Sequence, residues 1–218
     1  MPLPLTCAPD ATKRGINFRV SYYGSRASLR SGRPRGTIMS MIEPPTGPGV
    51  LGQGVRLTNW QMVEGGEIVR RFPAFGEILA LVERKKGERR MATRRDIDPV
   101  TFKRFLPLIT LFDLVRDRSG AVVDATIRLM GTEVVHFYGE FTGRPVSAYP
   151  DPAVPARIIA CGNYLVRHRV PVAASVDGLR EGKKHVGLRI LYVPLSEDDV
   201  RVDRAVSFSL FYFPSLER

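Results

Sequence analysis

Residues 122–144 read VVDATIRLMGTEVVHFYGEFTGR, and two periodicities meet in them. Val123, Ala125, Ile127 and Leu129 fall on one side, while Asp124, Thr126 and Arg128 fall on the other. A period of two predicts a strand with one buried face. Gly131-Thr132 then breaks the alternation. Thr132 stands where a helix cap belongs, and Glu133 follows in the first turn, where negative charge suits the helix dipole. Val134, Phe137 and Tyr138 share one side of that short helix. Gly139 stops it, and Phe141-Thr142-Gly143-Arg144 turns the chain again. A strand feeding brief, glycine-punctuated helices predicts one wall of an α+β domain.

The flanking segments extend this pattern. Thr110–Asp117 predicts the partner strand, with Asp117–Gly120 as the turn between them. Arg128 is placed to pair with Asp113 or Asp124 across that hairpin. Further back, Asp98-Pro99 starts a short helix that turns Phe102, Phe105 and Leu106 inward and ends at Pro107. Phe75, Ile78, Leu79 and Val82 form a helical stripe, with Lys85 and Lys86 in its last turn and Gly87 as the stop. This predicts a helix over 74–86, reaching back to Glu67 through a kink. The basic loop Glu88–Arg95 reads either as a solvated connection or as an anion site near Asp96 and Asp98. Val154–Val170 predicts the longest helix of the main domain, with Ile158, Ile159, Gly162, Leu165 and Val166 inward. Three strands follow: Val170–Val176, Lys184–Leu195 and Arg204–Phe213. In the last, Val206, Phe208, Leu210 and Tyr212 alternate with Ser207 and Ser209. Together these elements predict an α+β fold: a five-stranded antiparallel sheet, short helices gathered on one face, and an N-terminal flanking helix. The predicted divisions are an unfolded Pro/Gly/Arg-rich tail over 1–54, a helical flank over 55–95 and the main domain over 96–218.

Four short motifs carry a family resemblance. They are Arg94-Arg95-Asp96-Ile97-Asp98-Pro99, Leu106–Asp113 (LPLITLFD), Arg128-x-x-Gly131-Thr132 and Thr142-Gly143-Arg144. In this order they resemble a group of bacterial PAS-like domains common in alphaproteobacteria, over roughly Gly66 to Pro214. That group usually has a proline shortly before the first motif, where this chain has Ala92-Thr93. The resemblance implies a sheet curled around a cavity beneath short helices, and a flanking helix that packs on the sheet or on a second subunit. It implies little about activity, because this fold carries many functions.

The net charge of +11 invites a nucleic-acid reading, so its distribution matters. Residues 1–50 hold seven basic and two acidic side chains, so nearly half of the excess lies in the tail. A flexible basic tail binds polyanions weakly and without sequence preference, so charge alone does not make a nucleic-acid binder. Met39-Ser40-Met41 offers a second plausible start within that tail. No run of about 18 apolar residues is present, which excludes a predicted membrane span. Basic residues interrupt any signal-peptide core, and two cysteines make no disulfide framework. Cys161, among Ile158, Ile159 and Leu165, is expected to be a buried free thiol in a reducing, cytoplasmic setting.

The sequence does not specify catalytic chemistry. His136, His168 and His185 are far apart, and no nucleophile elbow, metal-ligand spacing or phosphate-cradling glycine loop is present. The positive expectation is an apolar cavity wall formed by Phe112, Ile127, Leu129, Val134, Phe137, Tyr138, Leu188, Ile190, Phe208 and Leu210. A filled hydrophobic core would use the same residues. His136, on the short helix, is the candidate for a polar or haem contact, set against an ordinary surface histidine. The helix following Gly131 has no cysteine, which argues against a flavin-cysteine photosensor. The expected function is a sensory or interaction module that takes a small apolar ligand and has no catalytic output of its own, with a homodimeric state and a signalling partner as its expected associations. A dimerisation scaffold built on the 74–86 helix and an open sheet face is the alternative, alongside weak polyanion binding through the tail. No cofactor is specified.

Overall fold

The computed structural model describes residues 60–177 and 186–213. Six strands form one antiparallel sheet in the order β1-β4-β5-β6-β2-β3. They are β1 (Trp60–Glu64), β2 (Ile109–Arg116), β3 (Val122–Met130), β4 (Val172–Val176), β5 (Gly187–Leu195) and β6 (Arg204–Tyr212). The helices are α1 (Gly66–Arg71), α2 (Gly76–Lys86), α3 (Thr132–Tyr138) and α4 (Ala153–His168), with a longer 3-10 segment over Lys103–Leu108. The tail over 1–54 and His185 lie outside the described residues.

The sheet has six strands rather than the five expected. β1 pairs with β4 from Trp60↔Val176 to Glu64↔Val172. Five residues, followed at once by Gly65-Gly66, are too short to establish a period of two.

The flank bends as anticipated. Phe72, at φ −130°, interrupts the helix, and Pro73–Phe75 forms a single 3-10 turn before α2 begins at Gly76. Gly87, at φ 62°, closes α2 in a conformation that favours glycine, and its N–H donates to the Glu83 carbonyl at 3.1 Å. The apolar stripe of this flank packs on the sheet. Ile68, Phe72, Phe75, Ile78 and Val82 share one core with Leu191, Val193, Val206 and Phe208. Each fully buried side chain of this size contributes about 1.5–3 kcal/mol. The flank thus covers the part of this outer face formed by β5 and β6.

α3 and α4 cover the opposite face. Asn163 ties α4 to β3: its Oδ1 accepts from the Val122 N–H at 2.8 Å, and its Nδ2 donates to the Val122 carbonyl at 2.9 Å. Cys161 is a buried free thiol in this layer, as expected. α3 begins at Thr132, the residue expected to cap it. Gly131 is the N-cap and Thr132 makes no capping bond. The cause is the chain passing over it: Gly131 donates to the Ile109 carbonyl at 2.7 Å and lies directly beneath the backbone of Leu106 and Pro107.

One irregularity changes which way side chains point. Leu111 pairs with Leu129, but Phe112 pairs with Ile127, so Arg128 is an extra residue in β3. Such a bulge reverses the alternation beyond it. Ile127 is fully buried and Met130 packs with the inner core, while Leu129 turns outward and is 37% exposed.

The connection between α2 and β2 is held by ion pairs. Arg89 grips both Asp96 carboxylate oxygens, at 2.9 and 2.8 Å, and Lys85 pairs with Asp98 at 2.7 Å. Asp96 also closes a capping box with Thr93. Asp98 accepts from the Val100 and Thr101 N–H groups, as a cap should, but a turn follows it and the 3-10 helix runs through Pro107 to Leu108. Phe102 and Phe105 are buried as anticipated.

Candidate functional site

A small cavity of about 30 Å³ lies between the inner face of the sheet and α3 and α4. Space of this size accommodates about one water molecule. β5 supplies Leu188, Ile190 and Tyr192; β2 supplies Thr110 and Phe112; β6 supplies Ser207 and Ser209. Val134 and Tyr138 of α3, together with Tyr149, roof it, and Val154, Arg157 and Ile158 of α4, Trp60 of β1 and Val176 of β4 complete the lining.

The lining is more polar than the expected oily wall. Thr110, Ser207 and Ser209 are 3%, 3% and 4% exposed, and the register sets them side by side. Thr110 faces Ser207 across β2–β6, while Ser207 and Ser209 face Tyr192 and Ile190 across β5–β6. Arg157 donates from Nε to the Ala153 carbonyl at 2.9 Å. Burial pushes the Tyr149 and Tyr192 phenols well above their ordinary range, so both stay neutral and retain an O–H donor. Tyr149 meets Tyr138 edge-on with ring centroids 5.7 Å apart, and Phe112 lies 6.5 Å from Tyr192.

The residues expected to form the wall divide into groups. Phe112, Val134, Tyr138, Leu188 and Ile190 line the cavity. Ile127 is buried in the same core. Phe137 stacks on Phe211 at 3.9 Å and packs with Leu188 in a smaller cluster. Phe208 and Leu210 belong to the other face, against the flank. Their placement corrects the expectation, and the reason is physical: β6 is buried on both sides, so alternation separates two faces without saying which is which. Leu129 is turned away by the bulge. His136 is exposed, its ring edge-on to Phe137 at 5.2 Å, so it does not enter the cavity.

Ser207, Ser209, Thr110, Tyr192, Arg157 and Trp60 were not anticipated. A signal existed for the serines. A strand facing water usually carries charge at alternate positions, whereas β6 carries small uncharged hydroxyls there.

Nothing in this arrangement assembles a reactive set. His136 lies on α3, and His168 stacks on Tyr164 at 4.2 Å on α4. Among the described residues there is no group of three His, Cys, Asp or Glu side chains able to hold a metal ion. Burial pushes the Cys161 thiol well above its usual range, which opposes thiolate chemistry. No helix among the described residues is long and apolar enough to cross a membrane.

An antiparallel sheet with short helices roofing a small interior defines an α+β module of the PAS kind. The PAS domain family model matches residues 71–208, and the chain belongs to that family. β1 and most of α1 precede the matched region. Neither the curated proteins nor the solved structures returned a match to this chain.

Proposed function

We propose that this chain is a sensory or interaction module that takes a small polar ligand between the sheet and α3, with no reaction of its own. The observation that carries this reading is the group of buried hydroxyls. Thr110, Ser207 and Ser209 place polar atoms on an inner sheet face otherwise lined by rings and aliphatic groups. A hydroxyl on a cavity wall offers both a donor and an acceptor, so a guest that accepts or donates there gains hydrogen bonds that an all-aliphatic wall does not provide. An apolar enclosure with a few convergent polar groups is what a small-molecule site uses. The cavity in this form is smaller than such a guest. Enlarging it falls to half-buried rings, of which Trp60 and Tyr138 border the space. Movement of Tyr138 displaces α3, and that displacement is the output read by a partner protein or a second copy of the chain. The buried Cys161 thiol suits a reducing, cytoplasmic compartment.

The test is thermal-shift screening of small polar compounds against the wild-type chain and against Ser207→Val and Ser209→Val. Binding raises Tm for the wild type and is lost in both variants. A library without effect, together with valine variants more stable than wild type, identifies a plain packed core and sinks the proposal.

A further inference from the structure

β2 serves a second concavity on its other face. Thr110 and Phe112 point toward the inner cavity, whereas Leu111 and Asp113 line an open groove of about 390 Å³ with Arg94, Arg128 and Arg204. Three of the motifs singled out in the sequence each send a residue here: Arg94, Asp113 and Arg128.

The three guanidinium groups come from separate, well-fixed elements. Arg204 stands opposite Asp113 in the β2–β6 register. Arg128 is the extra residue of the β3 bulge, which brings it beside the same acid. Arg94 sits in the turn locked by the Thr93–Asp96 capping box and the two-point Arg89–Asp96 pair. Asp113 accepts from Arg128 Nε at 2.6 Å and from Arg204 Nε at 3.0 Å. Arg204 Nη1 donates to Glu197 at 3.2 Å, and Arg94 Nη1 donates to the Ile97 carbonyl at 3.2 Å. Among the described residues, both terminal nitrogens of Arg128, Nη2 of Arg204, and Nε and Nη2 of Arg94 meet no acceptor.

Stability does not explain this cluster. Three cations share one groove carboxylate, with Glu197 engaging one of them, and exposed ion pairs contribute at most about 1 kcal/mol each. The mutual repulsion of the arginines is relieved by a further anion. A carboxylate is satisfied by a single guanidinium fork, whereas a tetrahedral dianion accepts from several directions at once. The groove volume falls in the range of small-molecule sites, and the buried Leu111 borders it beside the charges.

We propose that Arg94, Arg128 and Arg204 form a binding site for the phosphoryl group of a small, soluble phosphorylated molecule on the outer face of the sheet. This site is independent of the inner cavity and stands whether or not that cavity takes a ligand.

The test is calorimetric titration of the full chain with inorganic phosphate, pyrophosphate and a mononucleotide at constant ionic strength. Saturable binding is expected. Arg128→Gln and Arg94→Gln each weaken it about tenfold, and Arg128→Lys weakens it too because the fork is lost. Amide NMR of the wild type provides a check that needs no variant: phosphate shifts the signals of Leu111, Asp113 and Arg128. Absence of saturable binding overturns the proposal, as does binding unchanged in the Arg94→Gln/Arg128→Gln double variant, which assigns it to other basic residues. Sedimentation with phosphatidylcholine vesicles containing phosphatidic acid separates the two sources of a phosphoryl group. Arg128-dependent sedimentation without binding of the soluble probes assigns the groove to a lipid headgroup and overturns the small-molecule assignment.

Discussion

Gly131 shows how a single position governs the roof of the cavity. A Cβ there would collide with the Leu106 and Pro107 carbonyl oxygens, and both are backbone atoms. Backbone cannot rotate aside as a side chain does, so relief requires α3 to shift away from the 3-10 segment. Gly131→Ala is expected to cost about 3 kcal/mol, read as a lowered midpoint in urea denaturation. Gly66→Ala is the control, because a Cβ there meets nothing within 4 Å and the change leaves stability within about 0.5 kcal/mol or improves it. An unchanged midpoint for Gly131→Ala contradicts the packing described. At this scale the sequence was only partly legible. The break at Gly131 was visible, but the reason for it lies in residues more than 20 positions away in the chain. Ser207 and Ser209 were visible as an alternating set, but the cavity face was placed on the apolar residues between them. Trp60 gave no signal, because its strand is too short to have a period.

At the scale of elements, the outer layer determines how the sheet reads. Strands β5 and β6 are buried on both sides because α1, α2 and the 3-10 segment cover one face while α3 and α4 cover the other. Existence and extent of most strands followed from periodicity, and β3 stops at Met130, where the Gly131-Thr132 break ends the alternation. Facing did not follow, since a doubly covered strand lacks the polar side that orients a singly covered one. The bulge at Arg128 was equally hidden, because an extra residue is defined by the partner strand and not by its own sequence. The shared core also makes a prediction. Phe75 is fully buried beside the sheet residues of that core, so Phe75→Ala is expected to cost about 4 kcal/mol. Thermal unfolding followed by far-UV circular dichroism and by Trp60 fluorescence should keep a single, coincident transition at lower temperature. A separate early melting of the flank, with the sheet unaffected, shows that the two do not share a core.

At the scale of the whole molecule, loops held by acids set the response to pH. Lys85 and the Thr101 N–H hold the Asp98 carboxyl far below its ordinary range, and the Arg201 and Val200 N–H groups bring Asp198 down to about 2. Ser119 lowers Asp117, and the Arg90 N–H lowers Asp199. Burial pushes Asp96 up, but the bonds from Arg89 and Thr93 outweigh it and leave that carboxyl below the usual range. A carboxyl whose folded value is depressed stabilises the fold above its unfolded value, and that contribution disappears as pH falls through the folded one. Stability in urea should therefore stay level from neutral pH to about 5 and decline between about 4 and 2. The rising positive charge of an already basic chain acts in the same direction. Asp198→Asn should flatten the lower part of that decline, and a midpoint that does not move between pH 7 and 2 contradicts this account.

The strand order has a further consequence for biogenesis. β6 is the latest of the six strands to be synthesised, yet it sits between β5 and β2. Until it emerges from the ribosome, the hairpin β2–β3 and the pair β4–β5 have no common backbone ladder, and each presents a bare edge. Joining β2 to β6 closes a loop of about 90 residues, a separation that slows folding and prolongs exposure to misassociation. A nascent chain of this protein thus remains two unjoined halves until one late segment zips them together, and nonsense or frameshift lesions within residues 204–212 remove the seam rather than trim an edge.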